Sequence, residues 1–147
     1  LFADAFLTSR WRVGLGWAYA DSTITDSPAT PALEGKWITE VPRNTGTFKV
    51  EYVVPDGPLV SARMVYVSDQ YADAANTLVY DAHTVVDLFA SMPFTPHLEG
   101  YVAVTNLFDD QYLEDISVTT RRGAPRQVRA GIRLRTLFPG ASATAAR

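Results

Sequence analysis

Charged and apolar side chains of residues 127–138 fall on opposite parities of the sequence. Odd positions carry Arg129, Arg133 and Arg135, and even positions carry Val128, Ala130, Ile132, Leu134 and Phe138. Successive side chains of a β-strand point to opposite faces, so the pattern predicts a strand with an arginine face and an apolar face. The function depends on the surroundings of each face. The arginine face could meet bulk water while the apolar face packs in a protein core. Alternatively, the arginine face could meet a water-filled lumen while the apolar face meets lipid.

A second group of charged residues lies in a long loop predicted at residues 107–125. Toward its end, Arg121, Arg122 and Arg126 could bind an anionic ligand, because guanidinium groups bind oxyanions in bidentate fashion. Pairing with nearby carboxylates is the simpler interpretation. Those carboxylates belong to Asp109, Asp110, Glu114 and Asp115. They lack the ordered spacing of a calcium loop, so we expect a solvated acidic loop and no metal site.

Residues that could support catalysis are few. The histidines are His83 and His97, which the predicted topology places at opposite ends of the sheet, so a shared metal site is not expected. Ser68 or Ser91 could be combined with His83 in a serine hydrolase, but their spacing does not support this. We predict that the chain is not an enzyme, has no catalytic residues and needs no cofactor.

Composition narrows the class of protein. The 147 residues are 47% hydrophobic and 20% charged, which is typical of one folded unit. A net charge of -3 argues against a nucleic-acid partner, and the absence of cysteine excludes disulfide and thiolate sites. No apolar run is long enough for a membrane-spanning helix, but this criterion does not exclude a transmembrane β-barrel. The start "LFADAFLTSR" has no Met, so we expect a processed chain or a fragment.

Period-2 alternation predicts an all-β chain, an antiparallel up-and-down meander of about seven strands. The predicted strands are 1–8, 11–24, 45–54, 59–68, 84–92, 98–106 and 127–138. Short turns at 9–10, 55–58 and 93–97 alternate with long loops at 25–44, 69–82 and 107–125. In a meander, all short turns then lie at one end of the sheet. Outer-membrane barrels sort their loops in this way, and Greek-key sandwiches have no reason to do so.

Aromatic residues toward the strand ends resemble the two interfacial girdles of a membrane barrel. Trp11, Tyr52 and Phe138 are predicted near the short turns, and Tyr19, Phe48 and Tyr66 toward the long loops. On this interpretation the apolar parity faces lipid and the charged parity faces a hydrated lumen. The charged residues assigned to the lumen, where they could contact a plug domain, are Lys49, Glu51, Arg63, Arg129 and Arg133.

Four motifs, in order, resemble the TonB-dependent outer-membrane receptor family. They are "VPRNTGTFKVEY" from Val41, "YDAHTVVDLFAS" from Tyr80, "VTNLFDDQY" from Val104 and "RRGAPRQVRAGIRLRTLF" from Arg121. The resemblance covers residues 11–138. It implies a barrel of about 22 strands that encloses an N-terminal plug, lies in the bacterial outer membrane and is energised by an inner-membrane TonB complex.

The resemblance implies that residues 1–138 are the C-terminal portion of such a barrel, working in uptake of a ferric siderophore or a similar bulky nutrient. The plug, the rest of the receptor and outer-membrane lipid would be its partners, and the TonB complex would act indirectly. The loop arginines could meet an anionic ferric chelate. Residues 139–147 are expected to be a disordered tail.

Two other interpretations remain open from the sequence. A small soluble β-sandwich acting as a binding module would pack its apolar faces on each other. A small self-contained outer-membrane barrel would need an even number of strands, and an eighth strand is not evident.

Overall fold

A computed structural model describes residues 1–115 and 120–134, and these form an antiparallel β-structure. The strands are β1 (Phe2–Phe6), β2 (Trp11–Tyr19), β3 (Asn44–Val53), β4 (Leu59–Val67), β5 (Gln70–Tyr71), β6 (Val79–Tyr80), β7 (His83–Thr95), β8 (Leu98–Thr105), β9 (Leu113–Asp115), β10 (Arg121–Arg122) and β11 (Gln127–Leu134). Seven of them form one sheet in the order β1-β2-β3-β4-β7-β8-β11. The predicted seven-stranded meander is therefore confirmed.

This sheet is open. Its strand order ends at β1 and β11, which do not pair with each other in the described part of the chain. The described strands therefore do not make the small self-contained barrel. The positions expected for Arg135, Phe138 and the tail at residues 139–147 lie outside the described residues.

Two predicted strand boundaries were wrong. β2 ends at Tyr19 rather than near Ile24, because the Asp21 carboxylate accepts hydrogen bonds from the N–H and hydroxyl of Thr23 and starts a turn. These hydrogen bonds lower the pKa of Asp21, and the one from the Thr23 hydroxyl contributes most. β7 runs through the predicted 93–97 turn as far as Thr95, with a register shift between Pro93 and Thr95. Proline lacks an N–H donor and is tolerated in strands at such irregularities.

Loop lengths are sorted as predicted, but two of the long loops contain strands of their own. β5 pairs with β6 inside the predicted 69–82 loop, and β9 pairs with β10 inside the predicted 107–125 loop. The first long loop carries a 3-10 helix at Pro31–Leu33. None of the helical structure described here is long and apolar enough to cross a membrane.

The first two long loops are joined by contacts around Trp37. Asn76 accepts a hydrogen bond from the Trp37 N–H (2.7 Å) and donates one to the Trp37 carbonyl (3.0 Å). The Trp37 ring lies 3.2 Å from the Arg43 guanidinium carbon, measured to the ring centroid, and meets Tyr71 edge-on. Asp73 shapes the same hairpin by accepting hydrogen bonds from backbone N–H groups, foremost that of Leu78, and these lower its pKa.

One face of the sheet is apolar, and within residues 1–115 and 120–134 no layer is packed against it. Leu15 is 44% exposed, Val60 49% and Ile132 70%, although each lies within a paired strand. Among the described residues, Tyr80 is the buried apolar residue, with 3% of its surface exposed. A two-layer sandwich would bury these faces against each other. The described part of the chain therefore excludes the sandwich alternative.

Aromatic side chains on the apolar face contact one another near the strand ends. Trp11 and Tyr52 lie 4.9 Å apart between ring centroids at the short-turn end, and Trp17 stacks on Tyr66 at 6.1 Å toward the long loops. The predicted position of Phe48 was wrong, because its register partners place it near the middle of the sheet.

Gly46 makes room for the Trp17 ring, which lies over it. A Cβ atom at residue 46 would be 2.9 Å from two ring carbons of Trp17. An aromatic ring over a strand glycine fills the surface that the glycine leaves open and helps to fix the register.

Asn106 closes the third long loop at its base. The residue is 3% exposed, and its backbone has a φ of 50°, in the left-handed region. Its side chain accepts a hydrogen bond from the Asp110 N–H (2.9 Å) and donates to the carbonyls of Asp110 (3.0 Å) and Ala124 (2.9 Å). Its own N–H donates to Asp87 Oδ1 (3.0 Å). Both ends of the loop are thus tied to β7 and β8.

We expect Gly46→Val to destabilise the protein, because the new side chain must displace the Trp17 ring. Overpacking of this kind costs about 1–3 kcal/mol. Urea-induced unfolding in lipid vesicles, followed by tryptophan fluorescence, would measure the loss. Thr45→Val, on the opposite face of β3, is the control with little change. Equal stability of both variants would contradict the packing described here.

We expect Asn106→Asp to loosen residues 106–126, because a carboxylate in place of the amide cannot donate to the Asp110 and Ala124 carbonyls. Unsatisfied buried polar groups cost about 1–3 kcal/mol each. Hydrogen–deuterium exchange would report faster exchange in this loop, with little change in β2 and β3. Gln111→Glu, the same change at an exposed neighbouring position, is the matched control. Unchanged exchange in Asn106→Asp would contradict the clamp.

Candidate functional site

The second face of the sheet carries the charged side chains in cross-strand rows. Backbone register aligns Asp4, Gly14, Lys49, Arg63 and Asp87 across five neighbouring strands. Residues directly opposite each other in an antiparallel pair lie on the same face. The adjacent row joins Arg12, Glu51, Ser61, Phe89, Ala103 and Arg129.

At the β1–β3 side, this face carries a chain of ion pairs. Lys49 Nζ lies 2.7 Å from Glu51 Oε1, and Arg12 lies 3.9 Å from Glu51 and 4.0 Å from Asp4. Arg12 also sits 5.6 Å from the centroid of the Phe6 ring, a cation–π distance. A cavity of about 280 Å³ opens among these side chains.

A second charged group lies at the β8–β11 side. Arg133 Nη1 is 3.2 Å from Glu99 Oε2, and the Glu99 side chain is 10% exposed. The Arg133 guanidinium also lies 5.9 Å from the Tyr101 ring centroid, and Tyr101 stacks on Phe89 at 6.2 Å. Arg129 lies on the same face, opposite Ala103.

All five charged residues predicted to share a face do so. The sequence analysis missed four other charged residues on the same face: Asp4, Arg12, Asp87 and Glu99. Strand parity alone would have placed them on this face, but pairing them required the register.

At the long-loop end, two of the three loop arginines are engaged within the protein. Arg121 forms an ion pair with Glu114 at 3.1 Å. The Arg126 N–H donates to Asp109 Oδ1 at 2.8 Å, and its guanidinium reaches the Leu107 carbonyl at 3.5 Å. The simpler interpretation, pairing with loop carboxylates, therefore holds for Arg121.

The acidic residues of this loop act separately rather than as a cluster. Asp109 accepts a hydrogen bond from the Arg126 N–H, and Glu114 forms an ion pair with Arg121. Asp110 Oδ2 accepts a hydrogen bond from the Thr84 N–H at 3.2 Å. The side chain of Asp115 lies outside what the structure describes. Asp109 and Glu114 are exposed, as expected for a solvated acidic loop, and backbone N–H groups also bind the carboxylates of Asp109 and Asp110.

Arg122 lines a polar cavity of about 260 Å³ at the base of the long loops, together with His83, Tyr112, Asp81 and Asp110. The His83 and Tyr112 rings stack with centroids 4.0 Å apart. Burial, followed by the carboxylates of Glu114, Asp87 and Asp110, raises the pKa of the Tyr112 hydroxyl. The phenol, which is protonated at neutral pH at its ordinary pKa, is thus kept further from ionisation. The cavity thus combines a guanidinium, an imidazole and a phenol donor with the carboxylates of Asp81 and Asp110.

The residues considered for catalysis do not come together. His83 begins β7 at the long-loop end, whereas His97 lies in the turn at the other end, as predicted. Ser91 pairs with Leu59 at the short-turn end of β7, far from His83. The Ser68 hydroxyl is bound by the Asn44 N–H and bonds to the Asp69 carbonyl. In residues 1–115 and 120–134, no group of three or more acidic or histidine side chains is placed to hold a metal ion.

Comparison with known proteins identifies this architecture. A family model described as "TonB dependent receptor-like, beta-barrel" matches residues 3–107. The "Probable TonB-dependent siderophore receptor PiuA" of Acinetobacter baumannii is 24% identical over 115 residues, which is 72% of this chain and 16% of that protein. The "Vitamin B12 transporter BtuB" of Photobacterium profundum is 38% identical over 72 residues, 48% of this chain and 12% of that protein.

Solved structures agree on the fold. The crystal structure of the siderophore receptor PiuA from Acinetobacter baumannii superimposes with a TM-score of 0.79 at 20% identity, covering 89% of this chain and 20% of that one. The chain thus spans a fifth or less of the length of each of these relatives. Because the family model matches most of the sequence, the chain belongs to the TonB-dependent receptor-like β-barrel family.

Proposed function

We propose that this chain is the C-terminal part of the barrel wall of an outer-membrane receptor that takes up a ferric siderophore or a similarly bulky nutrient. The observation that carries the proposal is the two-faced, open sheet, whose apolar side chains stay largely exposed in the described part of the chain. This sheet matches a fifth of a siderophore receptor in fold. Residues 1–138 would supply wall, and residues 139–147 would form a tail beyond it.

Each face has a partner in this proposal. The apolar face meets outer-membrane lipid, where exposed Val, Leu and Trp side chains are stable. The charged face looks into the lumen, where water and protein stabilise the charges. Lys49, Glu51, Arg63, Arg129 and Arg133 then face the plug domain. The open edges β1 and β11 pair with further strands of the same barrel, because an unpaired edge in a bilayer costs free energy.

The long-loop end would face outward and receive the ligand. Of the three loop arginines, Arg122 is best placed to bind an anionic ferric chelate, since it lines a cavity that also holds His83 and Tyr112. Arg121 and Arg126 would contribute after their guanidinium groups leave their present partners, the Glu114 carboxylate and the Leu107 carbonyl. Energy would come from the inner-membrane TonB complex, acting through parts of the receptor that lie outside this chain.

A transport assay tests the proposed function directly. In iron-limited bacteria that lack other receptors, the receptor containing this chain should restore uptake of radiolabelled iron from a panel of siderophores. Uptake should cease when the TonB protein is deleted. Radiolabelled cobalamin tests the alternative nutrient named by the BtuB relative. Uptake of neither class, by a receptor shown to be folded in the outer membrane, would contradict the proposal.

We expect Arg122→Ala to weaken ligand binding by about 10- to 150-fold, because hydrogen bonds to charged groups contribute roughly 1.5–3 kcal/mol. Fluorescence-quenching titration of the purified receptor with an anionic ferric siderophore would measure the dissociation constant. Arg10→Ala removes the same charge at the opposite end of the sheet and should leave affinity unchanged. Equal affinities of the two variants would remove Arg122 from the ligand site.

A further inference from the structure

His83 lies where the charged face meets the long loops. It begins β7, and because side chains alternate along a strand it shares the face of Asp87. Its register partner on β4 is Val67, which pairs in turn with Thr45 on β3. Neither Val67 nor Thr45 carries a charge. The charged groups beside the imidazole therefore belong to the polar cavity of about 260 Å³ that His83 helps to line.

This cavity holds more carboxylates than fixed cations. Among the described residues that line it, Asp81 and Asp110 are carboxylates and Arg122 is the guanidinium. The neighbouring charges of Glu114 and Arg121 neutralise each other at 3.1 Å. The cavity thus has one negative charge in excess while the imidazole is neutral.

The Tyr112 phenol is subject to the same negative potential. After burial, the carboxylates of Glu114, Asp87 and Asp110 raise its pKa. The Tyr112 ring is parallel to the His83 ring within 7°, with centroids 4.0 Å apart. Carboxylates that disfavour a phenolate favour a cation at the same place. A positive charge on the imidazole would therefore be favoured by its surroundings in the cavity.

An anionic ligand held by Arg122 would meet the excess negative charge of the cavity. Like charges repel more strongly in a partly enclosed site than in bulk water. Of the side chains that line the cavity, His83 is the one that can add a positive charge, since imidazoles ordinarily change charge near about pH 6.5. Protonation of His83 would balance the charges of Asp81, Asp110 and Arg122 before the ligand adds its own.

We propose that His83 takes up a proton when an anionic ferric chelate binds beside Arg122, so that the receptor holds this ligand more tightly as the pH falls. The inference rests on the proposed function, because it describes how binding in the same cavity is regulated. Ligand and proton raise each other's affinity by the same factor. The gain is complete below the pH at which the free imidazole titrates, and it is lost as the pH rises through the higher value of the complex.

The test measures dissociation constants of the intact receptor that contains this chain, in lipid nanodiscs, by fluorescence quenching. Ferric citrate and a ferric tris-catecholate, both anionic, are the probes. We expect about tenfold tighter binding at about pH 5.5 than at about pH 8.5, a size typical of two coupled sites. His83→Gln keeps a polar side chain that cannot be charged, so this variant should lose the difference.

His97→Gln is the matched control, because it makes the same change in the turn at the opposite end of the sheet. It should keep the pH dependence. Protonation of the chelates themselves is common to all three proteins and cancels in the comparison. Calorimetry of the unchanged receptor in two buffers of different ionisation enthalpy counts the protons taken up on binding. This measurement tests the inference even if His83→Gln does not fold.

The inference is overturned if the unchanged receptor and a folded His83→Gln variant show the same pH dependence, or if binding takes up no proton. Either result, from a receptor that still binds a chelate and transports iron, would refute the role of His83 and leave the proposed function intact. Binding of neither chelate at either pH, by a folded receptor, would instead contradict the anion site beside Arg122, and this inference with it.

Discussion

The uncovered apolar face is the constraint on which the rest of the structure depends. Its strands satisfy one another's backbone hydrogen bonds, yet the described residues provide no second layer for side chains such as Leu15 and Ile132 to pack against. In water such a face would drive association, since burial of apolar surface is the main favourable term in folding. In lipid it is stable, provided that every backbone group is paired. The proposed place in a membrane barrel would supply what this sheet lacks: lipid at its apolar face and further strands at its two edges.

The other face and the long loops follow from the same arrangement. Charges excluded from the apolar face are concentrated on the opposite one, where Glu51 and Glu99 neutralise the nearest cations. Long loops at one end are fixed at their bases by specific contacts, Asn106 in one case and the Trp37–Asn76 pair in another. A fixed base lets the loop tips vary without disturbing the sheet.

Sequence reasoning recovered the features that a period of two encodes. Alternation predicts the number of strands, the meander and the sorted loops. It also places Lys49, Arg63 and Arg133 on one face, because the register between strands keeps residues of one parity on the same side of the sheet. The hairpins β5–β6 and β9–β10 were missed, since strands of two or three residues are too short to show a period. The ion pairs of Asp4 and Arg12 were missed for another reason. They join different strands, and one sequence does not reveal the register between them.

Site-directed spin labelling along β4 tests the central claim most directly, because that claim assigns alternate residues of one strand to lipid and to the lumen. Single cysteines at residues 60–65 of the receptor in lipid would be labelled and compared for collision with oxygen and with a water-soluble nickel chelate. Our account predicts high oxygen accessibility at Val60, Ala62 and Met64 and low values at Ser61, Arg63 and Val65. Loss of this alternation, or nickel access at Val60, Ala62 and Met64, would contradict it.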